Sequence, residues 1–173
     1  MPFPRRIPFV EELGLELWGF GGGQAELRLD LAEAHLNYWD VAHGGVLMTL
    51  LDVAMAHAAR SVGVSMTAAR STGVTMEAAQ SLPADAVEQG PGVATIEMKT
   101  SFMRPAEGRL RALGSLLHRT ATLAFCEGSV FDEAGRLCAH ATGTFKYLRA
   151  LPTTGRHAKT LQRAAPPPDK ENP

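Results

Sequence analysis

Asn37, His43, Gly44, Gly45 and Asp52 stand in one stretch, NYWDVAHGGVLMTLLDVAMAHAA (37–59), and together they hold most of the chemistry this chain can offer. The residues from Val46 to Ala58 are mostly Leu, Val, Ala and Met. They read as a helix buried on nearly every face. Its N-terminus falls at His43-Gly44-Gly45, where first-turn N–H groups lack intrahelical acceptors and glycines leave them uncovered. Such a terminus polarises a carbonyl oxygen. Asp52 is the lone acid within that apolar run, and an unpaired buried carboxylate costs several kcal/mol, so it is either hydrogen-bonded in place or kept for reaction. Gly44 and Asp52 are eight residues apart, roughly 12 Å along a helix axis. A reacting carbon must lie about 3 Å from its attacking group while its oxygen meets the donor. If both residues act on one substrate, they come from different copies of the chain.

Each of these residues also has a structural reading. The glycine pair permits close packing, Asp52 serves as a hydrogen-bonded structural acid, His43 caps the helix, and Asn37 shapes the loop before it. Other motifs point away from other chemistries. His-Gly-Gly also occurs in oxyanion loops of serine hydrolases, but the G-x-S-x-G elbow they require is missing. GFGGGQ (19–24) lacks the third glycine of a dinucleotide loop and precedes a strand instead of following one, so it reads as a turn. The six histidines show no HExxH or paired-ligand spacing, and no metal site is expected. His57 and His140 read as packed residues. Cys126 and Cys138 form no CxxC and read as two buried thiols in a reducing compartment.

The elements that must position these groups follow from periodicity. A short helix is expected over Pro8–Leu15, then a glycine turn at Gly19–Gly23 and a strand, QAELRLDL (24–31), with Ala25, Leu27, Leu29 and Leu31 on one face. After the long helix, strands are expected at 93–103, 109–119, 122–132 and 136–148 in a meander, with a DEAG turn at 132–135. In the first of these, Ile96, Met98, Thr100 and Phe102 share a face. An antiparallel sheet wrapped around one long central helix, α+β in class, accounts for the pattern. Residues 1–150 form one domain with an unusual insertion at 62–91, and the Pro-rich tail 151–173 is expected to be disordered. A net charge of −1 gives no basis for binding nucleic acid or an anionic membrane. No signal peptide or spanning segment is evident, so the cytoplasm is expected.

The ordered set N-x5-HGG-x6-D, TIEMKTSFMRPAEGRLRA (95–112) and A-x-x-T-G-T-F within GRLCAHATGTFKYL (135–148) resembles the hotdog-fold acyl-CoA thioesterases of the phenylacetate-pathway, PaaI-like type. The resemblance runs from about Phe9 to Leu148. It implies that the Gly44 amide binds the thioester oxygen and that Asp52 of a neighbouring subunit is nucleophile or general base. Asn37 and His43 then support the carbonyl and sulfur, and Thr95 supplies a hydroxyl from the second strand. It further implies hydrolysis of a small aryl- or medium-chain acyl-CoA, with no cofactor because coenzyme A belongs to the substrate. A dimer or dimer of dimers with the site across the subunit interface is implied too. The alternative is a hotdog protein that binds acyl-CoA or acyl carrier protein without hydrolysing it. Met48, Met55, Met66, Met76, Phe102 and Phe125 are candidates for an apolar pocket, and Arg104, Arg119 and Arg149 for the coenzyme's phosphates.

Overall fold

A computed structural model describes residue 3, residues 6–61 and residues 91–148. A short helix α1 (Pro8–Glu12) leads into strands β1 (Glu16–Gly21) and β2 (Gln24–Asp30), a 3-10 turn at Glu33–His35, and the long helix α2 (Gly44–Ser61). Four strands follow: β3 (Gly92–Phe102), β4 (Arg109–Arg119), β5 (Leu123–Phe131) and β6 (Leu137–Leu148). All six form one antiparallel sheet in the order β1-β2-β4-β5-β6-β3. Helix α2 touches every strand of it. This is the expected hotdog arrangement, α+β, with the sheet wrapped around one helix.

The helix lies close because the sheet beneath it has little side chain. Gly114 and Gly128 are direct cross-strand partners on β4 and β5, and Gly143 follows on β6. A Cβ on Gly114 would overlap the carbonyl of Ala54 and stand 2.8 Å from the Met55 nitrogen. At Gly128 and Gly143 the same atom would meet Leu51 and Met55 side chains at 3.1–3.2 Å. Leu50, Leu51, Ala54 and Met55 thereby reach full burial against Leu27, Leu110 and Phe145. Both ends of α2 are tied down. The Val46 N–H donates to the His43 carbonyl at 2.9 Å, while the Tyr147 hydroxyl donates to the Ala59 carbonyl at 3.0 Å and the Gly23 N–H to Ser61 Oγ at 2.8 Å.

Four expectations change. Helix α1 ends at Glu12, short of Leu15. The glycine cluster is only partly a turn: β1 runs to Gly21, and Gly22 and Gly23 alone turn the chain, with φ of 59° and 85°. A bulge at Trp18 interrupts the alternation that would have announced this strand. The later strands are not a simple meander, since β3 pairs with β6 at the far edge and β4 pairs with β2. The link between β3 and β4 passes the start of β6, where the Met103 N–H donates to the Cys138 carbonyl (2.8 Å), and meets the loop before α2, where the Ala42 N–H donates to the Ala106 carbonyl (3.0 Å). Lastly, α2 is not covered all round. Gly45 and Met48 are exposed and Thr49, Asp52, Val53 and Ala56 half-buried, which leaves one open face. The DEAG turn stands as read: the Arg136 N–H donates to Asp132 Oδ1 at 2.9 Å. The insertion, residue 91 excepted, and the tail lie outside the described residues.

Candidate active site

One half of the site is the loop that delivers the chain to α2. Asn37 organises it: its N–H donates to the Val41 carbonyl (2.8 Å), its carbonyl accepts from the Asp40 N–H (3.1 Å), and its Oδ1 accepts from the Trp39 N–H (2.9 Å). Asp40 turns the chain at a φ of 57°. With Oδ1 engaged, only the amide NH2 of Asn37 has a hydrogen to offer a bound group. The loop then passes to His43, whose N–H donates to the His35 carbonyl at 2.8 Å. The His43 ring is exposed, and its Nδ1 accepts the Gly45 N–H at 2.9 Å. An accepting Nδ1 leaves the ring proton on Nε2, pointing away from the cap. Gly44, beside it, has a first-turn N–H with no carbonyl a turn earlier in the helix to accept it.

The other half sits two turns along α2. Thr95 Oγ1 donates to Asp52 Oδ1 at 2.7 Å, joining β3 to the helix. A regular strand could not make this bond. Met98, Thr100 and Phe102 fall on one face, so strict alternation would put Ile96 with them and turn Thr95 outward. A bulge at Ile96, between Thr95 and Glu97, resets the alternation and brings Thr95 round to the helix. The expected regular alternation through Ile96 is therefore broken: Ile96 has no cross-strand partner on β6 and is exposed. Within one chain the structure joins Asp52 to Thr95, while Asn37 shapes the loop that leads into the adjacent His43 and Gly44. It leaves about 12 Å of continuous helix between the two groups.

The remaining candidates separate clearly. His57 is buried, with its ring edge-on to Phe3 and Phe20 and its Nδ1 2.8 Å from the Val53 carbonyl. Burial drives its pKa from 6.5 down to about 4, so it is a neutral packed residue. Burial likewise pushes the Cys126 thiol up to about 12. His140 pairs with Ser129 across the outer sheet face at 3.1 Å. Arg104 donates to the Leu137 carbonyl at 2.9 Å, and Arg149 lies outside the described residues. Among the described residues, no helix is long and apolar enough to cross a membrane.

Residues 40–139 match the family model of the thioesterase superfamily. The chain belongs to that superfamily, and its fold is the hotdog arrangement. A protein of Halobacterium salinarum that carries the name of an esterase is 29% identical over 147 residues, covering 79% of this chain and 82% of its own. Among solved structures, a conserved protein of Pseudomonas aeruginosa superposes with a TM-score of 0.65 at 27% identity, over 84% of this chain and 97% of that one. A single-residue variant of the phenylacetic acid degradation protein PaaI from Thermus thermophilus gives 0.61 at 25% identity, over 82% and 100%.

Proposed function

We propose that the protein hydrolyses acyl-CoA thioesters, in sites that each combine Gly44 of one subunit with Asp52 of the partner subunit. The observation that carries this reading is the division of the candidate residues. An anchored carboxylate and an uncovered helix terminus share one helix but stand too far apart to act on one carbonyl. Superfamily membership supplies the chemistry. The partner is argued from β3, whose outer edge pairs with nothing among the described residues and lies beside the open face of α2. Two such edges can pair antiparallel about a two-fold axis.

In that site the Gly44 N–H, backed by the helix dipole, binds the thioester oxygen and stabilises the charge that grows there as the carbonyl carbon becomes tetrahedral. Asp52 of the partner subunit, held by its Thr95, either attacks the carbonyl carbon or takes a proton from the water that does. The carbon–sulfur bond then breaks and coenzyme A leaves as its thiolate; where Asp52 itself has attacked, water then cleaves the acyl–Asp52 anhydride, releasing the free acid and restoring the carboxylate. His43 donates through Nε2–H and Asn37 through its NH2, toward carbonyl and sulfur. Coenzyme A arrives with the substrate, so no cofactor is invoked, and the acyl group is a small aryl or medium-length chain. A thiol-release assay over acyl-CoAs tests the reading. Asp52→Asn is expected to lower turnover about 10³-fold while leaving the fold intact. Unchanged turnover in that variant removes Asp52 from the mechanism, and tight acyl-CoA binding without thiol release in the native protein makes it a binding module instead.

A further inference from the structure

The methionine and phenylalanine candidates for an apolar pocket do not share one place. Met55 is fully buried on the sheet-facing side of α2. Phe125 faces the other side of the sheet, stacked on His118 at 6.3 Å between ring centroids. Met66 and Met76 lie outside the described residues. Phe102 and Met48 are the two that open near the candidate carbonyl cradle, 52% and 41% exposed. Met48 stands one helical turn after Gly44, on the same side of α2. Phe102 ends β3 with its ring edge against the helix start: Cζ and Cε1 lie 3.5 and 3.6 Å from where a Cβ on Gly44 would be.

Gly44 strengthens the case. Its φ is outside the left-handed region, and a Cβ there would meet Phe102 only at ordinary contact distance. Nothing among the described residues requires glycine at this position, which leaves the space beside it to an incoming group. A carbonyl oxygen hydrogen-bonded to the Gly44 N–H places its carbon roughly 4 Å from that nitrogen. The carbon's next substituent then comes within van der Waals reach of the Phe102 ring.

We propose that Phe102, flanked by Met48, is the acyl-facing wall of the site and that its ring sets the size of acyl group accepted. This rests on the reading of Gly44 as the carbonyl cradle. The ring offers an apolar edge with no polar group to match, which suits an aryl or alkyl chain and disfavours a charged acyl group. Phe102→Ala opens the wall and Phe102→Trp narrows it, so the two variants must move selectivity in opposite directions. Loss of fold cannot mimic that pattern.

The experiment measures kcat/KM over straight-chain acyl-CoAs from acetyl to dodecanoyl, with benzoyl- and phenylacetyl-CoA, for the native protein, both Phe102 variants and Met48→Ala. Relative to native, the ratio of long to short acyl groups is expected to rise at least about 10-fold in Phe102→Ala and to fall in Phe102→Trp. The same shifts are expected with acyl N-acetylcysteamine thioesters, which keep the acyl group and lack the nucleotide. A uniform rise in KM across all acyl groups, absent from the truncated thioesters, puts the ring on the coenzyme arm and overturns the proposal. So does dissociation of the oligomer on a sizing column with acyl preference unchanged, which makes Phe102 a subunit contact. If the native protein releases no thiol at all, calorimetric binding of acyl-CoA thioether analogues separates the two claims. A size preference that moves with Phe102 sustains the wall although the proposed hydrolysis fails, and no size preference sinks both.

Discussion

Gly44 is the residue whose identity nothing among the described residues explains. Gly114, by contrast, is glycine because the backbone of Ala54 occupies the place of its Cβ, and at Gly45 a Cβ would come 3.1 Å from His43 Nδ1, a tight contact. Gly44→Ala is therefore expected to melt at the native temperature or slightly above it, since alanine is the better helix former. Its thiol-release rate should still fall about 10²-fold, because the added methyl displaces the incoming carbonyl by about an ångström. Calorimetric melting and the assay on one sample check this. A variant that is both stable and fully active would show that nothing approaches position 44. At the same scale, the orientation of His43 follows from a single bond: with Nδ1 accepting the Gly45 N–H, only Nε2–H can face a substrate.

At the scale of elements, the seam between α2 and the sheet carries two further predictions. Gly114→Ala sets a methyl against helix backbone, and backbone held at both ends by Ser61, Tyr147 and His43 cannot move aside. A loss of about 3 kcal/mol or more in urea unfolding is expected. The second concerns pH. His57 is buried, its Nδ1–H donates to the Val53 carbonyl, and burial lowers its pKa to about 4, with the nearby Arg60 charge acting in the same direction. In the unfolded chain the ring titrates near its ordinary 6.5. Between those values the unfolded state binds the additional proton, so stability is full above pH 6.5, falls as pH drops toward 4, and levels off below it. From pH 7 to pH 5 this group alone removes about 2 kcal/mol. His57→Gln should flatten that part of the profile, and an unchanged slope would assign the acid sensitivity elsewhere.

For the whole molecule, the question is whether the two halves of a site belong to one chain or two. Mixing Asp52→Asn protomers with Gly44→Ala protomers answers it. In a dimer with shared sites, each mixed pair has one site carrying both lesions and one carrying neither. Refolded together in equal amounts, the two inactive variants should recover about a quarter of native activity, because half the dimers are mixed and half their sites intact. A site built within one chain leaves the mixture as inactive as its parts. The edge strand fits the shared arrangement: β3 exposes Ile96 and Phe102 and has charges on its outer face only at Glu97 and Lys99, which is thin protection for an edge that stays alone in water.

How much of this was legible without coordinates differs by element, for a physical reason. The start of α2 at His43-Gly44-Gly45, the strand around Leu27 and Leu29, and the Asp132–Gly135 turn are written in neighbouring residues, since caps, alternation and turn chemistry act over a few positions. The eight-residue separation of Gly44 from Asp52 is likewise a property of the chain alone. Strand β1 was hidden because the bulge at Trp18 and its glycines break the alternation, and the place of β3 because no local pattern says which edge a strand joins. The direction of Thr95 depended on a single extra residue at Ile96, and the open face of α2 on which strands came to cover it. Composition and spacing determined which groups were available and how far apart one helix holds them. Only long-range pairing and packing decided that Thr95 meets Asp52, that Phe102 meets Gly44, and which side of α2 stays open.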